Sequence, residues 1–168
     1  IPMLNGGAGV DAPRGGAGGD AYFVDSAGDG VIESAGEGND TVFSTDHFRL
    51  ADNVENLILQ GDAMTPLQGY GNALVNSLFG SAGVNLLDGQ GGADTMAGGL
   101  GGDIYFVDNA GDQVIENMGE GADAIFSTIS QTLAPNVEAL VLQDSADVDG
   151  TGNELANFIL AGSGANAL

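Results

Sequence analysis

A nine-residue pattern recurs along this chain and limits the folds that it can adopt. The frames follow G-G-x-G-x-D-x-U-x, where U is a large apolar residue, and they are clearest at residues 15–23 and 98–106. Other frames begin at Gly6, Gly71, Gly80, Gly89, Gly152 and Ala161. A fixed period of this kind predicts a stack of short repeated units rather than one globular core.

The chain also contains two related copies of a longer unit, at about residues 4–86 and 87–168. Residues 4–63 match residues 87–146 without a gap, and residues 71–87 match residues 152–168 after a two-residue deletion. Because chance rarely duplicates frames that are already in register, this disfavours a glycine-rich linker with scattered acids. We therefore expect a single domain over residues 1–168, built from the two copies.

Each frame combines a turn with a short strand. Glycine suits the turn because it adopts positive φ without a steric clash. Side chains alternate along a strand, so the apolar eighth positions should share one interior. These positions hold Tyr22, Val31, Val42, Leu78, Leu87, Met96, Tyr105, Val114, Ile125, Ile159 and Leu168. We predict an all-β fold, a right-handed parallel β-roll or β-helix of about nine coils with two frames in each.

The charge of the chain restricts its partners. Its 24 acidic residues face only two basic ones, Arg14 and Arg49. Nucleic acid and anionic lipid are poor partner candidates because their recognition needs clustered Lys and Arg. No apolar stretch is long enough to span a membrane. Cations must therefore compensate the charge.

The sixth position of the frames is Asp or Asn, and stacking should bring these residues together along the turns. Calcium accepts six to eight oxygen ligands in flexible geometry, whereas magnesium requires a tight octahedron and zinc favours His or Cys. We predict several Ca²⁺ ions, bound by side chains and by carbonyl oxygens of the glycine turns. The predicted ligands are Asp11, Asp20, Asp25, Asp29, Asp40, Asn76, Asn85, Gly89, Gly91, Asp94, Gly98, Asp103, Asp108, Asp112 and Asp123.

The ligands are expected to form two rows. One row comprises Asp11, Asp29, Asn76, Asp94 and Asp112. The other comprises Asp20, Asp40, Asn85, Asp103 and Asp123. The pairs Asp94 with Asp112 and Asp103 with Asp123 should bind best, and the frames with Asn should bind weakly or not at all. Asp25 and Asp108 precede turns, where they could instead accept backbone hydrogen bonds.

Glutamates at equivalent places in the two copies leave alternatives open. Glu33, Glu55, Glu116 and Glu138 could bind ions or cap turns, and paired carboxylates can also serve sugar chemistry. The duplicated setting favours structural roles, and the sole histidine, His47, has Ser130 as its counterpart. We expect no catalytic site within this chain.

Two further features concern the surface and the glycine-poor segments. Phe23 with Phe43, and Phe106 with Phe126, should form outward aromatic ladders, the first of which we expect residues 44–49 to cover. Residues 44–68 and 127–149 should form calcium-free coils. Within the first of these, Val54, Leu57 and Leu59 are predicted to face inward.

The frames resemble the RTX, or haemolysin-type, calcium-binding repeats, of which the nonapeptide is the known signature. Residues 18–33 and 101–116, with the pattern G-x-D-x-Y-F-V-D-x-x-G-D-x-V-I-E, and residues 50–57 and 133–140 are similar to longer repeats of that family. The likeness covers essentially the whole chain. It implies a parallel β-roll with calcium between its turns.

The same resemblance implies a biological setting. The chain would be part of a larger bacterial polypeptide, exported by a type I system and secreted or held at the cell surface. It would fold on extracellular Ca²⁺ and serve the export, folding and stabilisation of its parent. The alternative is an adhesin or polysaccharide-recognition module with a glycan partner.

Overall fold

The chain folds into an all-β solenoid of about nine turns, as seen in a computed structural model. The structure describes residues 2–143 and 147–168, so residues 144–146 of the second glycine-poor segment lie outside the described residues. The strands are β1 (Met3–Asn5), β2 (Ala21–Val24), β3 (Thr41–Ser44), β4 (Phe48–Arg49), β5 (Asn56–Leu59), β6 (Leu67–Tyr70), β7 (Ser77–Phe79), β8 (Asn85–Asp88), β9 (Thr95–Ala97), β10 (Ile104–Val107), β11 (Gln113–Val114), β12 (Ala124–Ser127), β13 (Gln131–Thr132), β14 (Ala139–Leu142), β15 (Gly150–Thr151) and β16 (Phe158–Leu160).

The strands form two long parallel sheets that face each other across the core. The first sheet has the order β1-β2-β3-β5-β7-β9-β11, and the second has the order β4-β6-β8-β10-β12-β14-β16. Strands β13 and β15 form a separate parallel pair. From β3 to β12 the strands alternate between the two long sheets, so each coil there contributes one strand to each sheet, which confirms the predicted β-solenoid. The described residues contain no helix that could cross a membrane.

Inward residues of successive coils stack directly on one another. In the first sheet, Tyr22 is in register with Val42, and Val42 with Leu57. In the second sheet, Leu87 is in register with Tyr105, and Tyr105 with Ile125. All six side chains are fully buried, as are Leu78, Met96 and Leu140. Most of the eighth positions of the frames thus build the core, whereas Leu168 is 68% exposed.

Equivalent strands of the two copies lie in opposite sheets of the solenoid. Strand β2 belongs to the first sheet, whereas its counterpart β10 belongs to the second. The copies are 83 residues apart, which is about four and a half coils. Equivalent surface residues of the two copies therefore face opposite sides of the solenoid axis.

Glycine is required in a frame for two different physical reasons. In the frame that begins at Gly98, positive φ occurs at the second and fourth positions, with 89° at Gly99 and 132° at Gly101. The first position needs space instead, because a Cβ on Gly98 would lie 2.1 Å from Asp103 Oδ2 and 2.5 Å from the Tyr105 hydroxyl. The prediction that turn conformation requires glycine thus holds for only part of the frame.

The glycine-poor residues 44–68 continue the solenoid with other side chains. Val54, Leu57 and Leu59 are buried as predicted. The expectation that residues 44–49 cover the Phe23–Phe43 ladder is wrong. Phe48 is a buried residue of β4 in the second sheet, since burying this large side chain carries the segment to the other side of the coil.

Two glycine substitutions test the packing of the turn. We expect Gly98→Ala to destabilise the folded protein by about 1–3 kcal/mol, because its Cβ overlaps the Asp103 carboxylate. Gly91→Ala is the matched control, since its Cβ would have no neighbour closer than 4.0 Å and its φ is not positive. Urea unfolding measures both. Equal stability of the two variants would contradict the assignment of Gly98.

Candidate metal centres

A hydrogen bond between side chain and backbone joins each coil to the next. The backbone N–H of Asn85 donates to Asp103 Oδ1 at 2.7 Å, and that of Asp103 donates to Asp123 Oδ1 at 2.8 Å. The same bond joins Asp20 to Asp40 at 2.8 Å. It also joins Asp11 to Asp29, Asn76 to Asp94, and Asp94 to Asp112. The sixth-position residues are thus stacked in rows along the edges of the solenoid.

The composition of these rows differs from the prediction. The first-sheet row runs through the residues that precede strands β2, β3, β5, β7, β9 and β11. These residues are Asp20, Asp40, Glu55, Asn76, Asp94 and Asp112. The prediction separated Asp20 and Asp40 from Asn76, Asp94 and Asp112, and this was wrong. Residues 41–75 complete two coils, so Asp40 and Asn76 lie on the same edge, but without a regular nine-residue glycine pattern these coils could not be counted from the sequence.

The carboxylates of these rows are not fully bonded by the protein. Within the described part of the chain, Oδ2 of Asp11, Asp40, Asp94 and Asp103 is buried without a hydrogen-bond partner. Both side-chain oxygens of Asp20 are in this condition. The equivalent residue one coil before Asp20 is Pro2, which has no N–H to donate. Buried charged oxygens of this kind require a cation or a proton.

Asparagine at the sixth position behaves differently. Asn76 Oδ1 accepts the N–H of Asn72 at 2.7 Å, and its Nδ2 donates to the carbonyl oxygen of Val54 at 3.1 Å. Asn85 similarly accepts the N–H of Ser81 at 2.6 Å and donates to its hydroxyl. The Asn76 amide therefore joins adjacent coils with protein hydrogen bonds alone, whereas the Asn85 amide is bonded within its own turn. Asn76 and Asn85 remain predicted weak ligands.

Two predicted ligands have both oxygens occupied by backbone groups. Asp112 Oδ1 accepts from the N–H of Asp94, and its Oδ2 accepts from those of Asp108 and Asn109. Asp29 has the same arrangement in the first copy, with Oδ2 near the N–H of Asp25. Asp25 and Asp108 are exposed and supply backbone donors to these turns. Of the predicted pair Asp94 and Asp112, only Asp94 has an unpartnered oxygen.

The turn carbonyls approach the preceding coil. A Cβ on Gly71 would lie 2.4 Å from the carbonyl oxygen of Gly89, and a Cβ on Gly80 would lie 2.2 Å from that of Gly98. Gly91, the third predicted glycine ligand, lies in the same turn as Gly89 and next to Ala73 of the coil before. Carbonyl oxygens and carboxylates thus share the space between coils.

Two groups of three acids converge where the sequence predicted pairs. The first centre comprises Asp20, Glu33 and Asp40, and the second comprises Asp103, Glu116 and Asp123. In each centre, one oxygen from every member lies within 4.8 Å of the others. At that separation two unit charges repel by about 3 kcal/mol if the effective dielectric constant is about 20.

The third acid of each centre was left open as an ion ligand or a turn cap and was not among the predicted ligands. Glu33 follows the inward residue Val31, and its side chain accepts a hydrogen bond from the Tyr22 hydroxyl. Glu116 has the same relation to Tyr105, whose hydroxyl also accepts the N–H of Gly98 at 2.6 Å. The available signal was the recurrence of Tyr and Glu eleven residues apart in both copies. The nine-residue period does not mark it.

Burial and mutual repulsion raise the pKa values of these carboxyl groups. Burial raises the pKa of Asp103 to about 7, with a further contribution from the Asp123 charge. Burial and the charges of Asp123 and Asp103 raise the pKa of Glu116 to about 7. Burial and the charge of Asp40 raise the pKa of Glu33 to about 6. At neutral pH each centre therefore favours a bound cation or a retained proton.

The remaining candidate residues have structural or surface positions. Glu55 Oε2 accepts the N–H of Asp40 at 2.9 Å, and Glu138 Oε2 accepts that of Asp123 at 2.8 Å. These two glutamates extend the rows described above. His47 Nδ1 accepts the N–H of Gln68 at 3.1 Å, so its ring is used in a contact between coils.

The aromatic ladders form as predicted. The Phe23 and Phe43 rings stack with centroids 5.0 Å apart, and those of Phe106 and Phe126 are 5.6 Å apart. Each pair lines a shallow groove, and the grooves lie on opposite sheets. The first groove is lined by Asn5, Phe23, Val24, Asp25, Phe43, Thr45 and Gln60.

The fold and the carboxylate rows define the chain as an acidic parallel β-solenoid. Comparison with protein-family models, curated proteins and solved structures gave no match. The chemistry of the turns is therefore the basis on which a function can be proposed. Its oxygen donors and unpartnered buried atoms fit a hard cation such as calcium.

The raised pKa values predict an acid-stabilised fold in the absence of metal. The folded state binds these protons more tightly than the unfolded chain, whose carboxyl pKa values are about 4. The free energy of unfolding in chelator should therefore fall as pH rises from about 4 to about 7. Circular dichroism in chelator should show more β signal at pH 5 than at pH 7.5.

A double variant serves as the control for this measurement. Replacing Asp103 by Asn and Glu116 by Gln removes two of the groups with raised pKa, so the difference between the two pH values should shrink. A β signal in chelator that increases with pH would contradict the proposed titration.

Proposed function

We propose that this chain is a calcium-binding module whose solenoid forms when Ca²⁺ compensates the carboxylates between its coils. The observation that carries the proposal is the set of buried carboxylate oxygens without hydrogen-bond partners among the described residues. They belong to Asp11, Asp20, Asp40, Asp94 and Asp103. Stacked acids with free oxygens are costly in an ion-free fold and become ligands when a cation binds.

Folding and binding should be coupled in such a module. The acids of one site come from different coils, for example Asp103 and Asp123, so the site does not exist in the unfolded chain. Binding free energy then contributes directly to folding free energy. The net charge of −22 also destabilises the compact state through charge repulsion when calcium is removed, which favours the unfolded chain.

The biological role that fits this coupling is calcium-controlled folding outside the cell. Extracellular calcium modules bind at about 0.1–1 mM, so the chain would stay unfolded at cytosolic calcium and fold after export. Similarity to RTX repeats supports the proposal of a secreted or surface bacterial protein in which the module aids export and stability. The sequence and the acidic rows support no catalytic role.

Calcium titration of the wild type and of a double alanine variant tests the proposal. The β signal in circular dichroism should increase cooperatively with Ca²⁺ and should not do so with Mg²⁺ at equal concentration. Replacing Asp103 and Asp123 by Ala should raise the calcium midpoint severalfold, because one site loses two carboxylates. An Asp52→Asn, Glu154→Gln double variant controls for the loss of two negative charges, since both residues are exposed.

The converse substitution sharpens the test. Asp94→Asn should mimic Asn76 and increase the β signal in chelator, whereas Asp94→Ala should not. A wild-type spectrum that is fully folded in chelator at neutral pH, and unchanged by calcium, would contradict the proposal.

A second candidate function is glycan recognition by the aromatic grooves. The stacked Phe23–Phe43 pair lies beside amide and hydroxyl side chains, which suits the apolar face and the hydroxyl groups of a neutral sugar. The scarcity of basic residues argues against an acidic polysaccharide. Glycan-array binding that is lost in the Phe23→Ala, Phe106→Ala variant would support this function, and an array without binding would reject it.

A further inference from the structure

Each three-carboxylate centre differs from the other turn positions because it includes a glutamate from elsewhere in the coil. In the first centre, Glu33 lies between β2 and β3 and reaches the aspartates that precede these strands. We propose that the two centres are enclosed Ca²⁺ sites that fill before the remaining turn positions. This inference rests on the proposed function and assigns Glu33 and Glu116 as ligands.

The acids of the two centres are buried, unlike those of a solvated acidic surface. In the first centre, Asp20 is 2% exposed, Glu33 is 9% exposed and Asp40 is fully buried. Both oxygens of Asp20, Oε2 of Glu33 and Oδ2 of Asp40 have no hydrogen-bond partner within the described residues. Each member thus brings at least one buried oxygen that the protein leaves unbonded.

The second centre repeats this condition on the other side of the solenoid. Asp103, Glu116 and Asp123 are all at least nine-tenths buried. Oδ2 of Asp103 and Oε2 of Glu116 have no partner in the part of the chain that the structure describes. Both centres therefore contain buried carboxylate oxygens that positive charge would stabilise.

The glutamates are held in place by the protein. Tyr22 donates its hydroxyl proton to Glu33 Oε1, and Asn53 Nδ2 donates to the Glu33 carbonyl oxygen at 3.1 Å. Tyr105 and Asn136 do the same for Glu116, the latter bond being 2.9 Å long. These contacts fix both the backbone and one carboxylate oxygen of each glutamate. The other oxygen is then preorganised as a ligand.

The donor set selects the ion. Three carboxylates supply oxygen ligands only, with no His or Cys, and this composition favours calcium over zinc. Calcium also tolerates the irregular geometry of acids from three separate segments better than magnesium does. At Asp94, by contrast, the row neighbour Asp112 has both oxygens bonded to backbone N–H groups. Three acids should therefore bind an ion more tightly than this turn position does.

Tyrosine-sensitised terbium luminescence can locate the ions in the full chain. Tb³⁺ is a hard, oxygen-seeking probe for calcium sites, and its emission on tyrosine excitation requires a nearby ring. The chain has three tyrosines and no tryptophan, and Tyr22 and Tyr105 each contact a centre. We expect strong emission that saturates at about two Tb³⁺ per chain and is displaced by Ca²⁺.

Two sets of variants test the assignment independently. The Glu33→Gln, Glu116→Gln double variant should lose emission at least tenfold, whereas Glu154→Gln, an exposed charge control, should keep it. The Tyr22→Phe, Tyr105→Phe double variant should also lose emission. Tyr70→Phe should keep it, because Tyr70 contacts Arg49 and Gln68 and bonds no member of either centre. If the glutamate variant fails to fold in excess calcium, the tyrosine variants and their Tyr70→Phe control show whether Tb³⁺ binds at the two centres.

The outcomes separate this inference from the proposed function. If the wild type folds with calcium but both double variants keep their emission, the centres are not the sites and the calcium module still stands. If calcium changes neither the β signal nor the emission of the wild type, the proposed function fails as well. Emission lost in both double variants and kept in both controls establishes the two enclosed sites.

Discussion

The structure depends on one recurrent bridge between coils, formed by an Asp side chain at the sixth position of a frame. One oxygen accepts a backbone N–H from the preceding coil, as Asp103 does from Asn85, and this sets the stacking distance. The second oxygen is turned towards the first glycine of its own frame, where it has no protein partner. The fold therefore places charge at sites that the polypeptide itself does not neutralise.

This bridge explains the distribution of Asp and Asn along the chain. Asn76 bonds its own turn and the preceding coil, Asn85 bonds its own turn, and neither side chain adds a charge. Asp94 and Asp103 occupy the next coils of the same rows and leave an oxygen free. An Asn frame thus adds no buried charge to the stack, whereas an Asp frame with a free oxygen does.

Much of this architecture could be predicted from the sequence. The nine-residue period indicated the parallel coils and inward residues such as Leu87, because strand alternation and turn length are local properties. The period disappears between Asp40 and Asn76, so the phase of the rows could not be counted there. The convergence of Glu33 with Asp20, and of Glu116 with Asp103, was not predicted because these residues meet across the coil, where no sequence period marks the contact.

The most direct measurement of the central claim is small-angle X-ray scattering of the full chain with chelator and with calcium at neutral pH. An unfolded chain of this length has a radius of gyration of roughly 43 Å, and a compact one is far smaller. Compensation of the carboxylates by Ca²⁺ predicts collapse from the large value to a short rod, with no such change in Mg²⁺. A compact rod in chelator that calcium leaves unchanged would contradict the claim that cations complete this fold.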